Sequence, residues 1–493
     1  MNIARGVTRL LATPAGGRLL GAGASLLYLD ALRAPLVRTA DGWLRARLDH
    51  PADTHPTWRQ IVRQRWLIDR AILHTVDRLI GRRLLSPHVL RVIARLWGQT
   101  LLTPADDKPM VRSFRQRYGV NPPWFLVLSP GHACNLRCAG CYADSGATCD
   151  DGAPKLDWST LDRLISEAQD LWGVSLIAFS GGEPLMYRSE GKDLLDLVEK
   201  HANCLYLMFT NGTLIDRETA ARLARLGNLT PALSVEGMRE QTDARRGTGA
   251  FDRVLAAMAH LRDAGVPFGL SITVTRANCA HVLSDPFLDF FFREQGAFYA
   301  FLFQYMPIGR ARDLDEMPTP DQHAAFWRRS WEVVAEKAVF LMDFWNHGPL
   351  VEGCIAAGRD RGYLHIDWNG HVMPCVFAPY AAANIREVYA HGGTLNEIWA
   401  APFFQAIRAW QRRYGYGQES LTPEGNWLHP CPFRDHHALF REWVERFGAK
   451  PENEAAAQAL LDGALCEELM LRSEERRAVT QEIWEREYLR KAQ

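Results

Sequence analysis

Three cysteines in one short segment are the residues with the clearest chemical potential. Cys134, Cys138 and Cys141 follow one another at separations of four and three positions, so their thiols can converge from a single loop. A 4Fe–4S cubane has four irons, and three cysteines would leave one iron with an open coordination position. The same thiols could instead bind zinc together with a distant fourth ligand. The spacing therefore predicts a metal centre.

Further motifs follow these cysteines in the chain. They are Ser180-Gly181-Gly182-Glu183-Pro184, Thr210-Asn211-Gly212-Thr213 and Leu233-Ser234-Val235-Glu236-Gly237, each at the end of a strand-like apolar run. Arg246 stands twelve residues after Ser234. With C-x3-C-x2-C and the aromatic Tyr142 directly after it, this order resembles radical S-adenosylmethionine (radical SAM) enzymes from Gly131 to Gly247. The combination favours an iron–sulfur cluster over structural zinc at the first cysteine set.

The resemblance implies two cofactors and a set of residues that bind them. In such enzymes the open iron of a 4Fe–4S cluster is chelated by S-adenosylmethionine (SAM), which is cleaved to methionine and a 5′-deoxyadenosyl radical that abstracts hydrogen from a C–H bond. Cys134, Cys138 and Cys141 would hold the cluster. SAM would be bound by Gly181, Gly182, Glu183, Pro184, Ser234 and Arg246, with Tyr142 as a shield for the cluster or a core aromatic. Glycine is expected where a side chain would block the methionine amino group, and arginine can bind a carboxylate with two hydrogen bonds.

A second cysteine set consists of Cys354, Cys375 and Cys431. Strand-like residues on both sides of Asn369-Gly370 predict a hairpin that brings Cys375 near Cys354. This stretch resembles the opening half of the SPASM domain, which carries auxiliary clusters. The closing half, C-x2-C-x5-C-x3-C, is missing, so the resemblance is to the shortened twitch variant with one auxiliary iron–sulfur cluster.

The fourth ligand of this auxiliary site stays open. Asp360, Asp435, His436, a solvent molecule or the substrate could supply it. An open iron could bind a substrate heteroatom, whereas a fully ligated cluster would transfer electrons. Zinc is an alternative metal because cysteine combined with histidine or aspartate suits it, and a hairpin without metal is a further alternative.

The motifs need a framework of strands and helices to position them. Six apolar runs predict strands: Trp124–Leu128, Ser175–Phe179, Leu205–Phe209, Pro231–Val235, Phe268–Val274 and Tyr299–Gln304. Stretches such as Leu161–Leu171 and Arg253–Ala264 predict amphipathic helices between them. Repeated strand–helix–strand order implies a parallel sheet with its active site at the carboxyl ends of the strands. Together with the resemblance, this predicts an α/β fold with a partial (β/α)6 barrel core, an N-terminal helical region and a C-terminal α+β SPASM/twitch-like domain.

Composition limits the class of protein. With 493 residues, 47% hydrophobic and 23% charged, the chain is typical of a globular protein, and disorder as its main state is excluded. No run of 18 or more apolar residues occurs, and the longest candidate is Leu19–Leu29. The predicted regions are a basic helical segment at 1–110, the core at 120–340, the auxiliary domain at 345–445 and a helical tail at 450–493.

The N-terminal region is strongly basic. Residues 1–100 contain 16 Arg, six Asp and neither Lys nor Glu, so this part carries +10 and the rest −10, because the whole chain has no net charge. An apolar stripe of Ile68, Ile72, Val76, Leu79 and Ile80 lies among these arginines at helical spacing. The stripe could pack on the body of the protein or lie on anionic lipid. We expect a cytoplasmic protein, with peripheral contact at the inner membrane surface as an alternative, and no nucleic-acid partner.

Three functions are compatible with these patterns. The leading interpretation is a radical SAM enzyme that modifies a peptide or protein and receives electrons from a donor such as flavodoxin or ferredoxin. The alternatives are a radical SAM enzyme acting on a membrane lipid or isoprenoid, and a non-catalytic iron–sulfur or zinc protein. No catalytic residue at the substrate is predicted, because Val376 occupies the place after Pro-Cys where sulfatase-maturing enzymes have an acidic base. Arg310, after the sixth strand, could hold a carboxylate or phosphate.

Overall fold

The computed structural model describes residues 25–46, 48, 55–101, 108–146, 152–310, 312–417 and 425–490. Most of the apolar run Leu19–Leu29, and the first part of the basic region, therefore lie outside the described residues.

Short strands are the elements that organise this chain. Those in the described residues are β1 Phe125–Leu128, β2 Leu176–Phe179, β3 Arg188–Ser189, β4 Lys192–Asp193, β5 Leu205–Thr210, β6 Leu229–Ser234, β7 Gly269–Val274, β8 Tyr299–Gln304, β9 Phe340–Asp343, β10 Tyr363–Ile366, β11 His371–Met373, β12 Tyr380–Ala381, β13 Ala383–Asn384 and β14 Lys450–Pro451. Ten of them form one sheet in the order β13-β11-β10-β1-β2-β5-β6-β7-β8-β9. The run from β10 to β9 is parallel throughout. The six predicted strands are its centre, and the predicted partial barrel is confirmed.

Helices follow most of these strands. Those in the described residues are α1 Asp30–Ala46, α2 Pro56–Gly81, α3 Pro87–Leu101, α4 Pro109–Tyr118, α5 Trp158–Trp172, α6 Leu194–Lys200, α7 Arg217–Leu226, α8 Arg239–Arg246, α9 Ala250–Ala264, α10 Asp285–Leu288, α11 Pro320–Lys337, α12 Ile385–Ala390, α13 Leu395–Trp399, α14 Pro402–Tyr414, α15 Pro432–Asp435, α16 His437–Phe447, α17 Glu454–Leu461 and α18 Gly463–Trp484. Four 3-10 turns and two π-helical turns complete the described elements: Ser25–Tyr28, Pro184–Met186, Leu314–Glu316 and Gly348–Val351, and Asp289–Glu294 and Glu485–Leu489.

The helices cover the outer face of the sheet because their apolar residues recur every three or four positions. In α5, Leu161, Leu164 and Ile165 are completely buried in the main core. The helix ends at Gly173, whose left-handed φ of 68° lets its N–H bond to Gln169 O. The chain can then turn directly into β2, which places the residues after β2 at the carboxyl edge of the sheet.

Helix α2 contains the apolar stripe of the N-terminal region. Leu79 and Ile80 are buried in a smaller apolar cluster, and Ile68 joins the main core. At the start of the helix, Thr57 Oγ1 donates a hydrogen bond to Tyr488 O at 2.7 Å. This stripe therefore packs on the body of the protein, and the alternative in which it lies on lipid is wrong for α2.

The C-terminal hairpin is continuous with the barrel. Strands β10 and β11 pair in antiparallel fashion as predicted, with His365 opposite Met373. Strand β10 also pairs in parallel with β1, with Phe125 opposite Tyr363. The hairpin thus extends the barrel sheet instead of forming a sheet of its own. None of the helices in the part of the chain that the structure describes has the length and apolar character needed to cross a membrane.

Candidate active site

The first cysteine loop follows β1 and crosses the carboxyl edge of the sheet. Its backbone bonds to the glycine motif after β2, since Gly182 N donates to Gly131 O (3.0 Å) and Glu183 N donates to Ala133 O (2.8 Å). A Cβ atom at Gly182 would stand 2.1 Å from Ala133 O, so no larger residue fits. The glycine is therefore already required by the cysteine loop itself.

Tyr142 joins the same two segments through its hydroxyl group. This oxygen is hydrogen-bonded to Ser180 Oγ at 2.6 Å and accepts from Gly181 N at 3.2 Å. Burial raises the pKa of Tyr142 to about 12. Its ring also meets the edge of Phe377, with 5.9 Å between the centroids. Tyr142 thus connects the first cysteine loop with the loop that follows Cys375.

Glu183 of the glycine motif is buried and bonded to the end of β5. Thr210 Oγ1 donates to one carboxylate oxygen at 2.7 Å, and Asn211 N donates to the other at 2.8 Å. Burial raises the pKa of Glu183, and these donors oppose the rise. The 3-10 turn Pro184–Met186 follows directly. In this structure Glu183 and Pro184 shape the turn and hold it on β5.

The three thiols of the first set lie in one loop, with Cys134 buried and the others half-buried. Burial raises the pKa of Cys134 to about 12, and Cys138 and Cys141 add to the rise. Asn211 Nδ2 lies 3.8 Å from Cys134 Sγ, and Arg246 Nη1 lies 3.9 Å from Cys138 Sγ. N–H donors beside the sulfurs suit an iron–sulfur cluster, whose properties depend on such hydrogen bonds.

Ser234 and Arg246 both lie at the carboxyl edge of the sheet. They are the last residues of β6 and α8. Arg246 Nη2 donates to Glu236 Oε1 at 2.5 Å, and Thr273 N donates to Glu236 Oε2 at 2.9 Å. Burial lowers the pKa of Arg246, but Glu236 and Cys138 outweigh this effect and raise it. The guanidinium is therefore held between a carboxylate and the first cysteine set. Glu236 belongs to the motif at the end of β6, but no sequence pattern predicted a role for it.

Two arginines hold the cysteine loop from outside. Arg310 Nη1 donates to Cys138 O at 2.8 Å, and its Nε pairs with Asp144 at 3.0 Å. Arg245 Nη2 donates to Gly140 O at 2.9 Å. The sequence suggested that Arg310 could hold a substrate carboxylate or phosphate. In the structure its guanidinium instead holds the cysteine loop in place. The contacts to Cys138 and Gly140 are both made to backbone carbonyl groups, which every residue has. No sequence motif could therefore have predicted them.

The second cysteine set comes together beside β10 and β11. Cys375 Sγ is hydrogen-bonded to Tyr363 OH at 3.0 Å and accepts from Phe377 N at 3.4 Å. Burial raises the pKa of Cys354 to about 11 and the pKa values of Cys375 and Cys431 to about 12. Each of these pKa values is raised further by another thiol of the set. Cys375 raises the pKa of Cys354, Cys431 raises that of Cys375, and Cys354 raises that of Cys431. Each of the three thiols is thus close enough to another to influence its pKa.

The candidate fourth ligands already have partners elsewhere. Asp435 accepts from Cys431 N at 3.0 Å and from Arg434 Nε at 2.7 Å, and it pairs with Arg476 at 3.3 Å. His436 Nε2 is bonded to His429 O at 3.0 Å. Asp360 accepts from Asn121 Nδ2 at 3.0 Å. The arginines and His429 hold the pKa of Asp435 well below its usual value despite burial, which raises it.

Among the residues described, no three His, Cys, Asp or Glu side chains form a group that could hold a single metal ion.

Comparison with known proteins matches both cysteine regions. A model described as the Radical SAM superfamily matches residues 128–277, and one described as an iron-sulfur cluster-binding domain matches residues 354–421. Mycofactocin maturase MftC of Mycobacterium tuberculosis (strain ATCC 25618 / H37Rv) is 30% identical over 300 residues, which cover 59% of this chain and 74% of that protein. The chain belongs to the radical SAM superfamily. Its cofactors are accordingly a 4Fe–4S cluster and SAM, with an auxiliary iron–sulfur cluster in the second region.

Other relatives of this radical SAM protein have different names. The AdoMet-dependent heme synthase of Methanosarcina barkeri (strain Fusaro / DSM 804) is 27% identical over 317 residues, covering 59% of this chain and 86% of that protein. The PqqA peptide cyclase of Gluconobacter oxydans (strain 621H) is 28% identical over 302 residues, covering 58% and 80%. The matches thus include proteins named for different substrates.

Proposed function

We propose that this radical SAM protein is an enzyme that modifies a peptide or protein by hydrogen abstraction. Cys134, Cys138 and Cys141 hold the 4Fe–4S cluster in this proposal. When a donor such as flavodoxin or ferredoxin reduces the cluster, the bound SAM would be cleaved to methionine and a 5′-deoxyadenosyl radical. The observation that carries the proposal is the meeting of the cysteine loop, the glycine motif and the ends of β6 and α8 at one edge of the sheet.

The residues of the chain bind and orient the cofactors in this proposal. The backbone at Gly181 and Gly182, together with Ser234 and Arg246, binds SAM. Tyr142 positions the glycine motif against the cysteine loop through its hydroxyl group. Arg310 keeps the loop in place through its backbone carbonyls.

The auxiliary site belongs to the same proposal. Cys354, Cys375 and Cys431 hold its cluster as the three protein ligands. Asp435 keeps the Cys431 loop in place by accepting from its backbone N–H. It is thereby a positioning residue of the auxiliary site.

A peptide substrate is supported by two observations. One relative is named a PqqA peptide cyclase, and the second region of this chain matches an iron-sulfur cluster-binding domain described as SPASM. The barrel and this domain share one sheet, so a substrate in the barrel lies near both cysteine sets.

The first test is formation of 5′-deoxyadenosine. The protein is reconstituted anaerobically with iron and sulfide, reduced with dithionite and given SAM, and the products are separated by chromatography. We expect cluster-dependent 5′-deoxyadenosine. A small peptide encoded beside the gene is then added, and mass spectrometry should show a SAM-dependent mass change. Protein with its full iron content that cleaves no SAM, with or without that peptide, would favour the non-catalytic alternative.

A lipid or isoprenoid is the second candidate substrate. Helix α1 and the turn before it expose Leu26 (53%), Leu29 (54%), Leu32 (45%), Leu36 (56%) and Trp43 (50%). Exposed leucines at helical spacing in a region of charge +10 are typical of helices that lie on anionic membranes. Turnover of an isoprenoid in place of a peptide would select this candidate.

A further inference from the structure

Five phenylalanine rings meet inside the barrel, and we call them the lumen cluster: Phe209, Phe301, Phe303, Phe344 and Phe377. The Phe209 centroid lies 5.5 Å from that of Phe301 and 5.6 Å from that of Phe303. Strands β5 and β8 are separated in the sheet by β6 and β7, so these contacts cross the lumen. Phe303 also lies 5.5 Å from Phe344 and 5.6 Å from Phe377.

The lumen cluster reaches both cysteine sets. Phe377 meets Tyr142, the residue after Cys141, and donates its backbone N–H to Cys375 Sγ. A group held against Phe377 would therefore lie close to both candidate clusters. This is the position that a substrate must occupy for a hydrogen atom to be abstracted beside the first cluster.

The rings are only half-buried, although they lie within the fold. Residues on the opposite face of the same strands, such as Met208, Leu302 and Leu341, are completely buried against the helices. The lumen cluster thus keeps accessible apolar surface that the opposite face of β5, β8 and β9 lacks. Apolar walls inside a concave site are typical of ligand pockets.

Charged residues are absent from the lumen-facing strand positions. These positions in β1, β2 and β5 to β10, all of which the structure describes, hold only apolar, Ser, Thr, Tyr and His side chains. Asp343 points to the other face, where Asn346 donates to it. His365 is bonded to Ser129, and burial lowers its pKa to about 4, so it is neutral near pH 7. A charged ligand group would find no counter-ion on these strands.

We propose that the lumen cluster selects an apolar side chain, aliphatic or aromatic, at the position of the peptide substrate where hydrogen is abstracted. This inference rests on the proposed peptide function. Abstraction moves a hydrogen atom, one proton with one electron, from a C–H bond to the 5′-deoxyadenosyl radical and yields 5′-deoxyadenosine and a carbon radical. It needs neither a base nor a counter-ion, so an uncharged aromatic pocket is sufficient.

Binding of small probes to the reconstituted protein with SAM tests the pocket. Saturation-transfer NMR compares N-acetyl-L-leucinamide and N-acetyl-L-phenylalaninamide with N-acetyl-L-lysinamide and N-acetyl-L-aspartic acid amide. We expect the apolar probes to bind about tenfold or more tightly than the charged ones, the discrimination that a hydrophobic pocket can achieve. Equal binding of all four probes, or no binding of any at millimolar concentration, would overturn the proposal.

Variants identify the lumen as the site. Phe303→Asp should abolish binding of the apolar probes, and Phe303→Leu should retain it, with iron content and circular dichroism as measures of folding. Phe209→Asp is the second variant should Phe303→Asp fail to fold. Unchanged apolar binding in a folded Asp variant would refute the site. Tighter binding of geraniol than of either apolar amide would overturn the peptide assignment in favour of a lipid.

The outcomes separate this inference from the proposed function. Selective binding of the apolar amides by protein that modifies no peptide would retain the pocket and remove the function. A peptide modified at a serine or aspartate would retain the function and refute the pocket.

Discussion

Gly182 is the residue at which two motifs meet most tightly. Its backbone lies against the carbonyl groups of His132 and Ala133, at distances that leave no room for a Cβ atom. The glycine motif and the cysteine motif therefore depend on each other in the folded chain. A substitution in one should be detected at the metal site formed by the other.

We predict that Gly182→Ala lowers stability by about 1–3 kcal/mol, the usual cost of overpacking. It should also reduce iron binding at the first cysteine set, because the methyl group pushes Ala133 away. Iron content and thermal unfolding measure both effects. The control is Gly463→Ala at the start of α18, where a Cβ atom meets nothing within 4 Å and alanine should stabilise by about 0.5–1 kcal/mol. Normal iron binding in Gly182→Ala would contradict the argument.

Replacing Cys138 with alanine should abolish SAM cleavage. The expected loss of iron is about four per chain, because the first cluster would keep only two of its three predicted thiolate ligands. Cys375→Ala should lower iron by a similar amount while the first cluster stays intact. Cys204→Ala, at a buried position just before the amino end of β5, is the control and should retain all iron. Full SAM cleavage by Cys138→Ala would remove the central claim.

At this scale the sequence predicts roles only for residues that form spaced motifs. The structure places Cys134, Cys138 and Cys141 in one loop, and their role as cluster ligands stays a prediction. Arg310 and Glu236 were misjudged or given no role, because what they do depends on partners that folding brings from distant segments. Such contacts have no spacing that a linear pattern could show.

At the scale of elements, α1 differs from α2 in the face that it exposes. Helix α2 buries its stripe, whereas the leucines of α1 remain accessible to solvent. If this face contacts a membrane, Leu32→Asp with Leu36→Asp should abolish flotation with liposomes of anionic phospholipid. The matched control is Ala31→Asp with Gly42→Asp, which adds the same two negative charges on another exposed face of the helix and should weaken flotation less. Wild-type protein that stays at the bottom of the gradient would contradict lipid docking.

The short pair of strands β12 and β14 joins the tail to the auxiliary region and brings Glu452 near the hairpin turn. Burial and then Asp367 raise the pKa of Glu452 to about 8, although His371 opposes them. Asp367 in turn raises the pKa of His371. Both groups hold their protons more tightly in the folded state than in the unfolded state.

Stability should therefore fall as pH rises. The unfolded chain releases the Glu452 proton near its ordinary pKa of 4.5, whereas the folded chain retains it to about pH 8, so this contribution is lost across that window. His371 acts in the same direction above its ordinary value of 6.5. Thermal unfolding between pH 5 and pH 8.5 measures the slope. Glu452→Gln should flatten it, and an equal slope in both proteins would contradict the assignment.

At the scale of the whole molecule, the six core strands could be predicted from apolar runs because each is short and continuous. The hairpin was also predicted, since it is local and contains an Asn-Gly turn. Its addition to the edge of the barrel could not be predicted. That pairing joins β1 to β10, and no local pattern specifies which strand edge a distant strand will occupy.

Cutting the chain before the hairpin should therefore damage the barrel as well as the auxiliary site. A protein ending at Asn346 would leave β1 with an unpaired edge, which is a template for aggregation. We expect it in the insoluble fraction, whereas deletion of 485–493 should be tolerated better because it leaves the sheet intact. Soluble protein that binds the first cluster normally after the longer deletion would contradict this view.

The same pairing has a consequence for synthesis on the ribosome. Ser129, just after β1, bonds to His365, and 236 positions separate them. The first cysteine loop emerges early, but the strand that carries it stays open on one side until almost three quarters of the chain has been translated. Throughout this interval we expect chaperones to protect the nascent chain. An iron–sulfur cluster delivered before the interval ends would meet a cysteine loop whose strand is paired on one side only.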